Sequence, residues 1–242
     1  PSINLGTGRT VTAISAGFNH SCALLDNASV KCWGSNYKGQ LGIDSTDNIG
    51  DNSSEMSSLS SINLGTGRTA TAISAGIYVT CALLDNASVK CWGWNHYGQL
   101  GIGNTTSMGD GSGEMGDNLT VVDLGTGRTA TAISAGDHHT CALLDNGAVK
   151  CWGDNINGQL GIDNTTVMGD GSGEMAQLTG INLGTGRTAT AISAGMYHTC
   201  AKLDNGAVKC WGRNNLGQLG IENTTQMGDD SGEMASLPSI NL

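Results

Sequence analysis

Proline is almost absent from the sequence, two residues in 242, which excludes a collagen-like chain and a proline-rich linker. Basic residues are few: 11 Lys and Arg stand against 21 Asp and Glu, a net charge of −10. That balance does not favour phosphate backbones, and it sets nucleic-acid binding aside. No apolar run approaches the length that crosses a bilayer, and no secretory leader is present. The chain begins at Pro1 rather than Met, as expected where a leader has been removed. Aromatics are scarce, with five Trp, four Tyr and one Phe, and the hydrophobic share of 38% is low without being that of a disordered chain. Glycine is what abounds. Its 38 residues are roughly twice the usual share and move helix-rich folds down the list.

One motif is written four times. Aligned on Cys22, Cys81, Cys141 and Cys200, the units repeat at 59, 60 and 59 residues, and Cys32, Cys91, Cys151 and Cys210 follow the same period. The units run 1–59, 60–119, 120–178 and 179–242, the last including a segment, PSINL at Pro238–Leu242, identical to Pro1–Leu5. Within a unit the pattern is β. The stretch Thr10–Gly17 alternates β-branched or polar residues with small apolar ones, and CALL and VKCW flank a turn that reads Asp145-Asn146-Gly147-Ala148 in unit 3. A third apolar stretch, SINL in unit 1, precedes each LGTGRT turn, after a connection of more than 20 residues rich in Gly, Asn, Asp, Ser and Thr. About 60 residues with three or four short strands bury no core alone, so the units must stack face to face.

At Cys32–Gly42 (CWGSNYKGQLG), Cys91–Gly101 (CWGWNHYGQLG), Cys151–Gly161 (CWGDNINGQLG) and Cys210–Gly220 (CWGRNNLGQLG), each preceded by an element such as AGDHHTCALL, the chain resembles the RCC1 repeat family, named for the regulator of chromosome condensation. The resemblance implies an all-β fold of propeller blades, each of four antiparallel strands and usually seven to a ring. Four units leave a compact four-bladed ring, an eight-bladed dimer and a continuing superhelix all open. The family hosts very different functions, so resemblance speaks to fold before activity.

Two Cys per unit, separated by nine residues, point to disulfides Cys22–Cys32, Cys81–Cys91, Cys141–Cys151 and Cys200–Cys210, since a three-residue hairpin loop sets each pair directly opposite. Each closed loop of about 11 residues contributes roughly 2.5–3 kcal/mol in the chain-entropy account. The spacing does not suit zinc. Disulfides imply an oxidising compartment, and a secreted or cell-surface location is the working expectation.

Other recurrent residues read first as structural. His20, His139 and His198 lie two residues before a Cys, and Val79 in unit 2 makes an essential metal ligand improbable there, leaving hydrogen-bonded strand starts. Arg9, Arg68, Arg128 and Arg187 are expected to brace neighbouring blades through Glu55, Glu114, Glu174 and Glu233. Trp33, Trp92, Trp152 and Trp211, with Met56, Met115, Met175 and Met234, are expected to fill the space between blades. The loops carrying GDGSGEM offer weak Ca²⁺ candidates in Asp110, Glu114, Asp170 and Glu174, and no other cofactor is implied. Among the Asn-x-Ser/Thr sequences, Asn104, Asn164 and Asn223 lie in loops where a glycan fits.

Two slots where the units differ stand out. Phe18-Asn19, Ile77-Tyr78, Asp137-His138 and Met196-Tyr197 occupy one, and Ser35, Trp94, Asp154 and Arg213 another. Variable loops on a repeated frame are where a binding surface lies, and Trp94, Tyr97, Asp137, His138, Tyr197 and Arg213 are its candidate residues. No singular nucleophile, carboxylate pair or metal cluster stands out, so a non-enzymatic role is expected. Guanine-nucleotide exchange, implied by the family's namesake, sits badly with paired Cys, an acidic charge and no basic tail. The leading expectation is an extracellular structural protein joined head to tail with copies of itself into filaments by strand exchange of the shared ends. The alternative is a secreted propeller that recognises a surface protein or glycan through its variable loops.

Overall fold

The structure is a computed structural model and describes residues 3–240. Each unit folds into one antiparallel sheet of three strands in sequence order. Unit 1 supplies β1 (Val11–Ala16), β2 (His20–Leu25) and β3 (Val30–Gly34); unit 2 β4 (Ala70–Ala75), β5 (Val79–Leu84) and β6 (Val89–Gly93). Unit 3 supplies β7 (Ala130–Ala135), β8 (His139–Leu144) and β9 (Val149–Gly153); unit 4 β10 (Ala189–Ala194), β11 (His198–Leu203) and β12 (Val208–Gly212). The segment opening the next unit lies along the third strand. The Ile62 amide donates to the Val30 carbonyl at 2.8 Å, and Val122 to Val89 and Ile181 to Val149, both at 2.9 Å. At the chain's end Ile240 donates to Val208 at 2.8 Å in the same way. The repeated terminal segment therefore completes the sheet of its own unit 4. Strand exchange with another copy is not how this edge is satisfied; Asn241 and Leu242, and Pro1 and Ser2, lie outside the described residues.

The hairpin between the second and third strands has the expected three-residue loop. Leu25 donates to the Ser29 carbonyl at 2.9 Å, and the last loop residue takes a left-handed backbone, as Gly147 (φ 76°) and Gly206 (φ 85°) in units 3 and 4 and as Ala28 and Ala87 (both φ 61°) in units 1 and 2. That geometry keeps the strands in register so that Cys22 faces Cys32, and likewise in every unit. All four disulfides are formed across directly opposed residues with Cα atoms 4.1 Å apart.

Units stack through a junction repeated three times. β4 lies against β1 and β2, β7 against β4 and β5, and β10 against β7 and β8; no such packing joins unit 4 back to unit 1, so the described residues form an open arc. The disulfide and the aliphatic residues of one unit meet the Trp, Met and Ala of the next in a separate apolar cluster at each junction. A single carbonyl anchors each junction. Gln40 O accepts from Thr80 Oγ1 (2.8 Å) and Trp92 Nε1 (3.1 Å), Gln99 O from Thr140 and Trp152, and Gln159 O from Thr199 and Trp211. Near the axis the strand corners touch so closely that a Cβ on Gly17, Gly76 or Gly136 would overlap the carbonyl oxygen of the next unit's glycine. Met115, Met175 and Met234 are buried between units as expected, while Met56, on which no other described unit packs, is only half-buried.

The arginines pair differently from the sequence expectation. Arg9, Arg68, Arg128 and Arg187 each reach the Asp that opens their own hairpin loop, Asp26, Asp85, Asp145 and Asp204, at 3.3 Å. They brace a unit to itself, because the LGTGRT turn and the hairpin loop lie at the same end of the sheet. Glu55, Glu114, Glu174 and Glu233 serve the long loop: Glu114 Oε2 accepts the amides of Gly109 and Gly111, both at 2.8 Å, and the other three accept equivalent pairs. The long connection is ordered by Asn36, Asn95, Asn155 and Asn214, buried amides that bond loop carbonyls, as Asn95 Nδ2 does to the Asn104 carbonyl at 2.7 Å.

Candidate binding face

The two variable slots become neighbours through the backbone. Trp94 donates its amide to the Tyr78 carbonyl at 2.9 Å, and Ser35 to Asn19, Asp154 to His138 and Arg213 to Tyr197 do the same at 2.8 to 2.9 Å. This crossing needs the preceding glycine. Gly34, Gly93, Gly153 and Gly212 have φ between 102° and 109°, and a Cβ on Gly93 would overlap the Tyr78 carbonyl oxygen. The variable residues of all four units thus gather along the face formed by one end of the strands, opposite the strand ends that carry the Arg–Asp pairs.

Aromatic side chains fill this face. The Trp94 ring lies 5.8 Å from Tyr78, 5.7 Å from both His96 and Tyr97, and 4.9 Å from His138. Tyr37 extends the cluster into unit 1 through Tyr78 at 5.4 Å. Most of these pairs meet edge to face, the arrangement the ring quadrupoles favour. The Lys38 ammonium sits 5.7 Å from the Trp94 ring, and the Arg213 guanidinium 5.3 Å from Tyr197. Between them, Asp137 is 5% exposed and places Oδ1 3.0 Å from His138 Nδ1, in an off-line geometry that leaves both atoms without a linear hydrogen bond. Burial raises the Asp137 carboxyl above its usual range, while His138 and the Tyr197 hydroxyl pull it partly back. A shallow hollow of about 240 Å³ lies beside the patch where the four Ala-Gly corners meet.

All six residues singled out from the sequence, Trp94, Tyr97, Asp137, His138, Tyr197 and Arg213, lie in this one patch. Tyr37, Lys38, Tyr78 and His96 belong to it and were not among them. Tyr78 shares a variable slot, so the signal was present; His96 and Tyr37 occupy one further differing position and Tyr97 and Lys38 another, and the stack brings those of units 1 and 2 together. Of the histidines preceding the cysteines, His20 and His139 are hydrogen-bonded as expected, while the His198 side chain makes no hydrogen bond among the described residues. Thr80 gives its proton to Gln40 O, so the 2.8 Å contact with His20 requires Nε2–H on the imidazole, and His139 meets Thr199 in the same way at 2.9 Å. The Ca²⁺ candidates fit the ion poorly. Glu114 and Glu174 are taken up by backbone amides, and Asp110 or Asp170 adds one carboxylate, against the six to eight oxygens calcium takes. Asn104, Asn164 and Asn223 are exposed, each accepting the amide of the second following Thr at 2.8 Å.

The regulator of chromosome condensation (RCC1) repeat matches residues 11–40, 70–99, 130–159 and 189–218, one match in each unit. The ultraviolet-B receptor UVR8 of Arabidopsis thaliana is 31% identical over 90% of this chain and 44% of its own length. The probable E3 ubiquitin-protein ligase HERC6 of Homo sapiens is 30% identical over 89% of this chain and 20% of its own. Among solved structures, yeast RCC1 (Prp20) bound to Kap60 superposes with a TM-score of 0.68 at 19% identity, covering 96% of this chain and 49% of that one. The chain thus spans about half or less of the length of these relatives. With a repeat match in every unit and the blade architecture around it, the chain belongs to the RCC1 repeat family.

Proposed function

We propose that this chain is a non-catalytic binding module that recognises a protein partner through the face built on Trp94. The observation that carries the reading is the distribution of change: the strands barely differ between units, while the differing residues at the strand ends converge into one partly exposed aromatic patch. Large rigid rings with a few charged groups are the usual anchors of protein recognition. Structures of related fold were solved with Kap60 bound, or in work on binding to Gsp1p and histones, which supports partner binding as a use of the frame. Four disulfides suit an oxidising compartment, and the module is proposed to act outside the cell or at its surface. Glycans are the second ligand class that an aromatic platform serves.

The test is to probe immobilised peptide and glycan arrays with the oxidised chain and with Trp94→Ala and Tyr97→Ala. Specific signals that fall at least about tenfold in both variants, with unchanged melting temperatures, support the reading. Signals indifferent to both substitutions overturn it. The filament reading has less to stand on, since Ile240 already completes unit 4 in its own chain. Electron microscopy across a concentration range tests it directly, and long regular fibres would restore it.

A further inference from the structure

The two ends of the strands treat their carboxylates differently. Beside the LGTGRT turns, Asp26, Asp85, Asp145 and Asp204 each meet an arginine at 3.3 Å. On the aromatic face, Asp137 and Asp154 of unit 3 are both buried, at 5% and 6% exposure, and neither meets a lysine or an arginine among the described residues. The cations of this face are turned elsewhere. Arg213 lies on the Tyr197 ring and donates Nε to Asn215 Oδ1 at 2.9 Å, and Lys38 lies 6.0 Å from the Tyr37 ring and 5.7 Å from Trp94.

Of the two carboxylates, Asp154 has its donors: Oδ2 accepts from Gln159 Nε2 at 3.0 Å and Oδ1 from the Ile156 amide at 3.2 Å. Asp137 Oδ1 accepts no hydrogen bond among the described residues. Burial, with the neighbouring Asp154, raises this carboxyl against the pull of His138 and the Tyr197 hydroxyl. The same Asp137 lines the hollow of about 240 Å³. The residue after each Ala-Gly corner stands at its edge, and Phe18, Ile77 and Met196 are apolar where unit 3 has Asp137. Everything else that lines the hollow is Ala or Gly. It is an apolar recess with one carboxylate and no counter-charge, the complement of a side chain with an aliphatic stem and a cationic head.

Resting on the reading of this face as a protein-binding surface, we propose that the hollow receives a lysine or arginine side chain of the partner. Its stem lies against Ile77 and Met196, its charged head meets Asp137, and the partner therefore presents a basic segment. A buried carboxylate whose oxygen has no donor in line costs free energy that a charge-assisted hydrogen bond recovers. An acidic side chain would be repelled by Asp137 and Asp154, and an apolar one would seal Asp137 in without a donor. A chain of net charge −10 also draws basic partners toward it over distance.

The probe is an array of random-sequence peptides screened with the oxidised chain. Each captured peptide is made again with norleucine for lysine or citrulline for arginine, which keep the stem and remove the charge. One basic residue is expected to be essential, its neutralisation lowering affinity at least about tenfold in fluorescence anisotropy. Asp137→Asn, which keeps the shape of the side chain, is expected to cost the same factor and to make the neutralised peptide bind no worse than the charged one. Met196→Lys sets a competing ammonium at the edge of the hollow, at a side chain 51% exposed, and is expected to block binding as well. Melting curves check that both variants are folded. Peptides that need Trp94 but ignore charge removal, Asp137→Asn and Met196→Lys leave the binding face standing and overturn the cation site. Peptides that need Asp137 but not Trp94 support the cation site and overturn the wider aromatic face. An array that captures nothing overturns both.

Discussion

Trp33 and Trp92 occupy the same place in the same pentapeptide, VKCWG, on the third strand of their sheets. Trp92 is wholly buried with its indole bonded to Gln40 O, whereas Trp33 is half-exposed. Nothing local separates them. The difference is that unit 2 packs on unit 1, whereas no described unit packs on this face of unit 1. Burial here is a property of the junction, and the core is a series of interfaces, each shared between two units.

The strongest way to sharpen this comparison is to truncate the two indoles. Trp152→Ala is expected to lower stability by about 3–5 kcal/mol, and Trp33→Ala by about 1–2 kcal/mol, in urea unfolding followed by circular dichroism. Equal losses would show that the unit, not the junction, is the element of stability.

Acid separates the junctions from one another. Burial depresses His20 to about 4 and His139 to about 3, below the 6.5 of a free imidazole. The unfolded chain therefore takes up these protons first. Stability is whole above about pH 6.5 and falls as pH drops toward the folded values, by roughly 3 kcal/mol per histidine at pH 4. Val79 holds the matching place at the junction of units 2 and 3, so that junction lacks this weakness. His20→Val and His139→Val are each expected to flatten the pH dependence of unfolding between 6.5 and 4; an unaltered slope would remove the histidines from the account.

Replacing Cys141 and Cys151 together by Ala should cost about 2–3 kcal/mol in the same unfolding measurement. The smallest effects should be blind to position in the stack. Arg128→Ala and Arg9→Ala each remove a partly exposed ion pair and should cost less than about 1 kcal/mol. Ala87→Gly relieves a left-handed alanine and should raise stability by up to about 1 kcal/mol. A large difference between Arg9→Ala and Arg128→Ala would mean that these pairs also take part in stacking.

Much of the candidate face was legible because its residues are the ones that break the repeat: Trp94, Asp137, Tyr197 and Arg213 stand out against near-identical surroundings. Their convergence was not legible. It depends on the carbonyl of one slot accepting the amide of the other, and on the stack bringing Tyr37 of unit 1 to Tyr78 of unit 2. The arginines show the limit of the same method. Asp26 and Glu55 both recur in every unit at the same period, so periodicity could not choose one over the other as the partner of Arg9; the end of the sheet at which each lies made that choice.

The amino-acid order alone determined the period, the hairpin, the cross-strand disulfides and the family, because these rest on interactions within about 30 residues and recur in every unit. The tertiary structure decided which faces are covered, which carboxylate each arginine meets and where the last segment lies. Those outcomes turn on what stands next to a unit in space, and units of nearly one sequence have different neighbours.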